Sequence, residues 1–300
     1  MAEGATRRWF DEARGSADLS APRSSVTQPY RRRRLPFWQQ KVRALKRAPL
    51  EVALGRPGDV ENNGVGMKLG LGTPELLPDL AIVDSTLTMG LPPRITADTG
   101  MDVLTHAIEA YTCTLRNDFA DGLALKATEL VFKYLPTAYA TGSDAEARLR
   151  MHSASTIAGL AFGNAMLGLS HAMGHSMGAV LHVPHGRSVG LFLPYVMEFT
   201  ANGGGTRYGE IAHFVHLPAD DEEVGAAALV QAIRDLSAQV NFATSIKALG
   251  IERAAFDQAL PKLVANAEAD NQLFFNQRYA AKNDLARLFE YAYEGRSIDF

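Results

Sequence analysis

Four of the chain's eight histidines fall within fifteen positions, at His171, His175, His182 and His185. Upstream, Asp102 and His106 stand four apart. On a helix, residues four apart share a face with Cβ atoms about 5–6 Å from each other. Asp102 with His106, and His171 with His175, can therefore each converge on one cation at ligand distances of about 2.0–2.2 Å. Two helices that each present an inward pair are a known way to build a metal site inside a bundle. The same spacing also serves an ordinary hydrogen bond on a helix surface, so the setting decides. Gly100, Ala107, Gly168, Gly174 and Gly178 are small enough to let helices close on one another, and Met101, Leu104, Ile108, Met173 and Met177 make the surroundings apolar. An Asp102 carboxylate in so dry a place requires a cation or a proton. Spacing leaves one further position open. His182 lies eleven residues after His171, which returns it to within about 20° of the same face of a continuous helix. Pro184 disfavours helix at Val183 and would place His185 at the start of a new segment, aimed separately.

The elements that must position these residues are helices. After Pro92-Pro93 the patterns predict helices from Thr96 to about Leu115, Phe119 to about Leu135, Ser143 to about Met166, Leu169 to about Leu181, and His185 to Glu198. Ser143-Asp144-Ala145-Glu146 matches a capping box at the start of the third. Beyond the Gly203-Gly204-Gly205 break, further helices are predicted near 206–216, 221–240, 252–268 (interrupted by Pro261) and 280–294. Leu80-Ala81-Ile82-Val83, bounded by Pro78 and Asp84, reads as a short buried strand. The expected division is a basic irregular segment over 1–60, an α/β remnant with one strand over 61–95, and a helical domain over 96–300.

Composition bounds what this arrangement can do. Net charge is −3, but residues 1–50 hold 12 Lys+Arg against 4 Asp+Glu, leaving 18 basic (30 less 12) and 29 acidic residues (33 less 4) in the rest. The Arg31–Arg34 run lacks interleaved aromatics, so it reads as a solvated arm and no nucleic-acid partner is expected. No apolar run reaches the roughly 18 residues of a membrane span, and no signal-peptide core opens the chain. The single cysteine, Cys113, lies in an apolar helical pattern, excludes an intrachain disulfide and fits a reducing, cytoplasmic setting.

Several segments resemble the iron-containing (group III) alcohol dehydrogenases. They are Leu76–Asp84, Ile95–Tyr111 (with Thr99-Gly100-Met101-Asp102 and Thr105-His106-Ala107), Gly168–His171 and Val183-Pro184-His185-Gly186. Gly122–Lys126 and Leu193-Pro194-Tyr195-Val196 extend the match. The likeness is strongest to the alcohol-dehydrogenase half of bifunctional aldehyde–alcohol dehydrogenases, and it runs from about residue 60 to the end. It implies a mainly α, helical metal-binding domain of the dehydroquinate-synthase-like fold, with only a remnant of an N-terminal α/β domain. It places the family's metal ligands on Asp102, His106, His171 and His185, and a further histidine near the substrate on His175. The family's Gly-Gly-Gly-Ser phosphate turn has no recognisable counterpart, since Gly203-Gly204-Gly205-Thr206 stands between helices. Asn276-Gln277-Arg278 resembles a family Asn-Pro-Arg turn with its proline replaced.

What the resemblance implies is NAD(P)-dependent interconversion of a small alcohol and its aldehyde at Fe²⁺ or Zn²⁺. An alcohol is about as weak an acid as water, and a histidine of pKa about 6.5 acting alone faces a gap of roughly 9 units, or about 12 kcal/mol. A divalent cation removes most of such a gap, as it does for water. His175 would then pass the proton to solvent. Two other readings use the same site: a truncated relative serving as a metal-binding or interaction module, and a metal-dependent hydrolase. A cofactor-facing side left uncovered by residues 1–60 would favour self-association, so a homo-oligomer is expected.

Overall fold

The computed structural model describes residues 81–300, together with the backbone of two short strands upstream. These are β1 (Glu51–Val52) and β2 (Leu69–Gly70), paired antiparallel with Glu51 opposite Gly70 and Val52 opposite Leu69. The rest of the expected segment 1–60, and of the expected segment 61–95 as far as residue 80, lies outside the described residues. Residues 81–300 belong to one compact unit, Val42–Phe300. From residue 93 onward the described chain is helical. It forms α1 (Pro93–Thr112), α2 (Asp118–Ala140), α3 (Ala145–Asn164), α4 (Leu169–Val180), α5 (His185–Asn202), α6 (Tyr208–Phe214), α7 (Glu222–Gln239), α8 (Arg253–Ala269) and α9 (Lys282–Glu294).

Local chemistry sets the helix ends. Pro93 opens α1 because proline's missing N–H is an orphan in the first turn anyway, so the helix starts earlier than Thr96. Asn117 caps α2 by accepting from the Ala120 N–H at 3.1 Å. Asp144 caps α3 by accepting from the Ala147 N–H at 2.8 Å. The capping-box pattern points one residue earlier, to Ser143. The carboxylate wins because it also answers the positive end of the helix dipole. Proline rules would end or interrupt helices at Pro136 and Pro261, yet both lie inside them, in α2 and α8. Buried Leu135 and Ala138 flank the first, and buried Leu263 and Val264 follow the second, so core packing outweighs the lost donor.

The strand expected at Leu80–Val83 is corrected over its described residues. Ala81–Val83 has no regular structure, and Ile82 and Val83 are exposed. Asp84 turns the chain at once, its carboxylate accepting from the Thr86 N–H at 3.0 Å to start a 3₁₀ turn over Ser85–Thr88.

α4 is buried continuously from Leu169 to Gly178, a run of apolar and small residues that also carries His171 and His175. It packs on α5 and α8, while α1 packs on α2, α3 and α5. Small residues make these approaches possible. A Cβ on Gly100 would lie 2.3 Å from Leu135 Cδ1, and one on Gly174 would lie 2.4 Å from Val189 Cγ1. Between α4 and α5 the chain passes through His182, whose φ of 55° is left-handed, and Pro184 then stands at the N-cap position of α5. Gly203, at the C-cap, with Gly204 and Gly205 at positive φ, closes α5, so this glycine run is a helix stop. No helix among the described residues is long and apolar enough to cross a membrane.

Candidate metal centre

Three helices bring four donor groups together. α1 supplies Asp102 and His106 one turn apart, α4 supplies His171, and the first residue of α5 is His185. One donor atom from each lies within 4.8 Å of all the others. Asp102 Oδ1 stands 3.6 Å from His106 Nε2, 4.0 Å from His171 Nε2 and 3.5 Å from His185 Nε2. Tetrahedral bonds of about 2.1 Å put donors about 3.4 Å apart, and no two donors on one such ion can exceed about 4.2 Å. The three separations from Asp102 lie inside that limit, and a pair at the 4.8 Å bound would close by about 0.6 Å to meet it and by about 1.4 Å to become tetrahedral. Three imidazoles and one carboxylate suit Fe²⁺ or Zn²⁺. Among the described residues no other group of three or more such side chains could hold an ion.

The cluster is dry on one side and open on the other. His171 is fully buried and the His106 side chain is 6% exposed, whereas Asp102 and His185 keep 14% and 20% of their side-chain surface. Phe162 stacks on the His106 ring with centroids 4.6 Å apart, and Met101, Leu169 and Met173, which neighbour the ligands along α1 and α4, are fully buried. The Nε2 of His171 is buried with no hydrogen-bond partner.

Carboxylates behind the cluster hold its rings. Glu109, on α1, lies 2.6 Å through Oε2 from His171 Nδ1 and accepts the Gly168 and Ser170 N–H groups at 3.0 and 2.6 Å. Burial works to raise the Glu109 carboxyl, but the facing His171 and these three hydrogen bonds outweigh it and hold the carboxyl below its ordinary range. Asp270 does the same for His175, with Oδ2 2.7 Å from Nδ1, while its Oδ1 accepts the Gln272 N–H at 2.9 Å. A third carboxylate joins helices. Asp98 Oδ1 accepts from Arg187 Nε and Nη2 at 2.8 and 2.7 Å, tying α1 to the first turn of α5. Burial pushes the Asp98 carboxyl up even with Arg187 beside it.

The structure gathers all four of Asp102, His106, His171 and His185. It places His175 next to them, with ring centroids 5.7 Å from His171 and 5.6 Å from His185. His182, left open by spacing, is not in the cluster, because α4 ends at Val180 and the left-handed turn carries His182 off the helix face. Sequence reasoning missed Glu109, Asp270 and the Asp98–Arg187 pair. Glu109 did leave a signal: it is a lone carboxylate between Ile108 and Ala110, three residues after His106, on a helix otherwise apolar at that point. Asp270 left none, being 95 residues from its partner.

Residues 96–293 match the family model for the Fe-containing alcohol dehydrogenase family, C-terminal. The chain is 38% identical over 234 residues to the NADPH-dependent butanol dehydrogenase of Clostridium saccharobutylicum, covering 78% of this chain and 60% of that protein. It is 36% identical over 255 residues to the bifunctional aldehyde-alcohol dehydrogenase AdhE of Escherichia coli, covering 79% of this chain and 29% of that one. The iron-containing alcohol dehydrogenase from Thermococcus thioreducens superposes with a TM-score of 0.69 at 34% identity, over 75% of this chain and 57% of that one. The chain thus spans at most about three-fifths of the length of these three relatives.

Proposed function

The chain belongs to the Fe-containing alcohol dehydrogenase family, and on that premise we propose that it is a metal-dependent alcohol dehydrogenase. Its reaction interconverts a small aliphatic alcohol, of the size the butanol dehydrogenase relative is named for, with the corresponding aldehyde, exchanging hydride with NAD(P). The observation that carries the reading is the convergence of Asp102, His106, His171 and His185 within 4.8 Å. These four side chains would hold the divalent cation. When bound, the cation would supply Lewis acidity and the nicotinamide would supply hydride chemistry.

The protein's own groups do the rest. Phe162 stacks on His106 at the buried side, and Asp102 and His185 keep the side-chain surface through which the substrate enters. His175 is the proton carrier. Asp270 lies 2.7 Å from its Nδ1 and orients the ring, and Nε2 is the nitrogen assigned to take up the alcohol proton. The pairing keeps the imidazole in one orientation through the cycle.

The test is alcohol-dependent reduction of NAD⁺ or NADP⁺ by the full chain, before and after dialysis against chelator, with Fe²⁺ and Zn²⁺ added back. Activity should vanish on chelation and return with metal. Turnover indifferent to chelator refutes the metal reading. A chain that binds metal without nicotinamide-dependent turnover is the metal-binding module instead, and metal-dependent hydrolysis without nicotinamide marks a hydrolase.

A further inference from the structure

The start of α4 has a gap that its own residues do not fill. Gly168 stands at the N-cap and has no side chain, so α4 lacks a cap from its own sequence. The first N–H groups of a helix need acceptors from somewhere. They find them across the fold, in a carboxylate on α1: Glu109 takes the Ser170 N–H on Oε1 and the Gly168 N–H on Oε2. The approach depends on Gly168. A Cβ there would lie 3.1 Å from Glu109 Oε1 and 3.2 Å from Asn276 Oδ1. The same carboxylate reaches His171 Nδ1 at 2.6 Å. Glu109 therefore ties α1, which carries Asp102 and His106, to the turn of α4 that carries His171.

This arrangement constrains where the His171 proton sits. A backbone N–H can only donate, and both Glu109 oxygens already accept one. The carboxylate is thus engaged as an anion, and the short contact to Nδ1 is one in which the imidazole donates. A neutral imidazole has one proton. With it on Nδ1, the lone pair is on Nε2, the atom that faces Asp102 Oδ1 at 4.0 Å inside the cluster. A glutamine in place of Glu109 removes the charge and leaves one accepting oxygen for three donors. With the oxygen at the Oε2 position it loses Ser170 and offers His171 only a weaker neutral acceptor, and turned the other way it faces His171 and Gly168 with a donating NH2 that favours the wrong tautomer.

We propose that Glu109 is a positioning residue that sets the His171 tautomer and its approach to the cation, so that metal affinity depends on Glu109 beyond its capping of α4. This rests on the metal-dependent reading above. Its charge also matters to the site. It is an anion 2.6 Å from a proposed ligand ring, so its loss would leave the loaded cluster with one compensating negative charge fewer.

The experiment compares wild type with Glu109→Gln as full chains, measuring Zn²⁺ affinity by competition with a chromophoric chelator and the absorption spectrum of the Co²⁺-loaded proteins. Metal-free thermal unfolding of each reports capping separately. The expected result is Zn²⁺ affinity weakened about 10–100-fold, the usual consequence of losing the partner of a ligating histidine, with an altered Co²⁺ spectrum. A folded Glu109→Gln that binds Zn²⁺ like wild type, whatever its thermal stability, overturns the inference, because a purely structural cap would move stability alone. Nitrogen-15 chemical shifts of the His171 ring in metal-free wild type, assigned with a His171→Asn variant, give a reading that needs no folded Glu109 variant. A proton on Nδ1 is expected, and a proton on Nε2 overturns the proposal. Wild type that fails to bind Zn²⁺ or Fe²⁺ at all would instead sink the metal-dependent reading on which the inference depends.

Discussion

Gly186 offers the sharpest way to displace one proposed ligand without touching it. It follows His185 in the first turn of α5, and that turn rests directly on α1. A Cβ at Gly186 would lie 2.3 Å from the Asp98 carbonyl oxygen, 2.9 Å from its carbon and 3.1 Å from Asp102 Cβ. The first two are backbone atoms, so no rotamer change relieves the clash. A carbon–oxygen contact relaxes to roughly 3.3 Å, so in Gly186→Ala the start of α5 must retreat from α1 by about 1 Å. His185 Nε2 now stands 3.5 Å from Asp102 Oδ1, and metal sites tolerate distance errors of only about 0.2 Å. The displacement exceeds that tolerance about fivefold, and metal affinity should fall at least about tenfold. Ligand linkage converts this into stability. Metal at about 1,000 times its Kd stabilises by about 4.1 kcal/mol, and at about 100 times by about 2.7 kcal/mol, so a tenfold weakening removes about 1.4 kcal/mol of the metal's contribution. For a folded unit of roughly 150–250 residues this is about 3–6 °C less metal-induced rise in Tm. The metal-free Tm also changes, since overpacking costs about 1–3 kcal/mol and alanine's better helix propensity returns up to about 1. The diagnostic quantity is therefore the difference between metal-loaded and metal-free Tm, by calorimetry at fixed metal concentration. A Gly186→Ala protein with the wild-type difference and the wild-type Zn²⁺ affinity would show that α5 does not aim His185 by its contact with α1.

Two more outcomes come from the same geometry. Because burial raises the Asp98 carboxyl above its ordinary 3.8, the folded state holds that proton more tightly than the unfolded chain, and this group's contribution is most favourable below 3.8 and declines as pH rises through the raised value. Asp98→Asn removes the decline, so the metal-free stability difference between variant and wild type should shift toward the variant as pH climbs from 3.8; a pH-independent difference refutes the assignment. His182 sits at φ 55°, where a non-glycine residue costs about 1–2 kcal/mol, partly offset in a glycine variant by about 0.5–1 kcal/mol of unfolded-chain freedom. His182→Gly should stay within about 1 kcal/mol of wild-type stability and keep full Zn²⁺ affinity; a loss like that of His185→Ala would return His182 to the ligand set.

The helices were legible because their signals are local. Periodic apolar positions, Pro92-Pro93 at the start of α1 and the glycine run after α5 each act within a few residues, and the expected helices match α1 to α9 in order. Errors arose where long-range packing overrode a local rule. Pro136 and Pro261 stayed inside helices because buried neighbours hold those turns in place. Ala81–Val83 is not a strand because a short apolar run needs another strand beside it, none pairs with it among the described residues, and the Asp84 turn comes immediately after.

Within the site, the legible residues were those whose partners are one helical turn away or in a recognised motif. Asp102 with His106 needs only a four-residue spacing, and His185 was separated from His182 by resemblance. The residues that orient the donors are another matter. Glu109 serves His171 across 62 residues, Asp98 serves Arg187 across 89, and Asp270 serves His175 across 95. A buried carboxylate announces in sequence only that it needs compensation; which donor compensates it is decided by helix packing. One rule does carry over to reading such chains. A lone Glu or Asp on the apolar stretch of a helix that already bears a candidate ligand, as Glu109 does three residues beyond His106, is costly to bury unless it is hydrogen-bonded. The neighbouring histidine on another helix is then the first donor to test for it, before any site on the solvent face is considered.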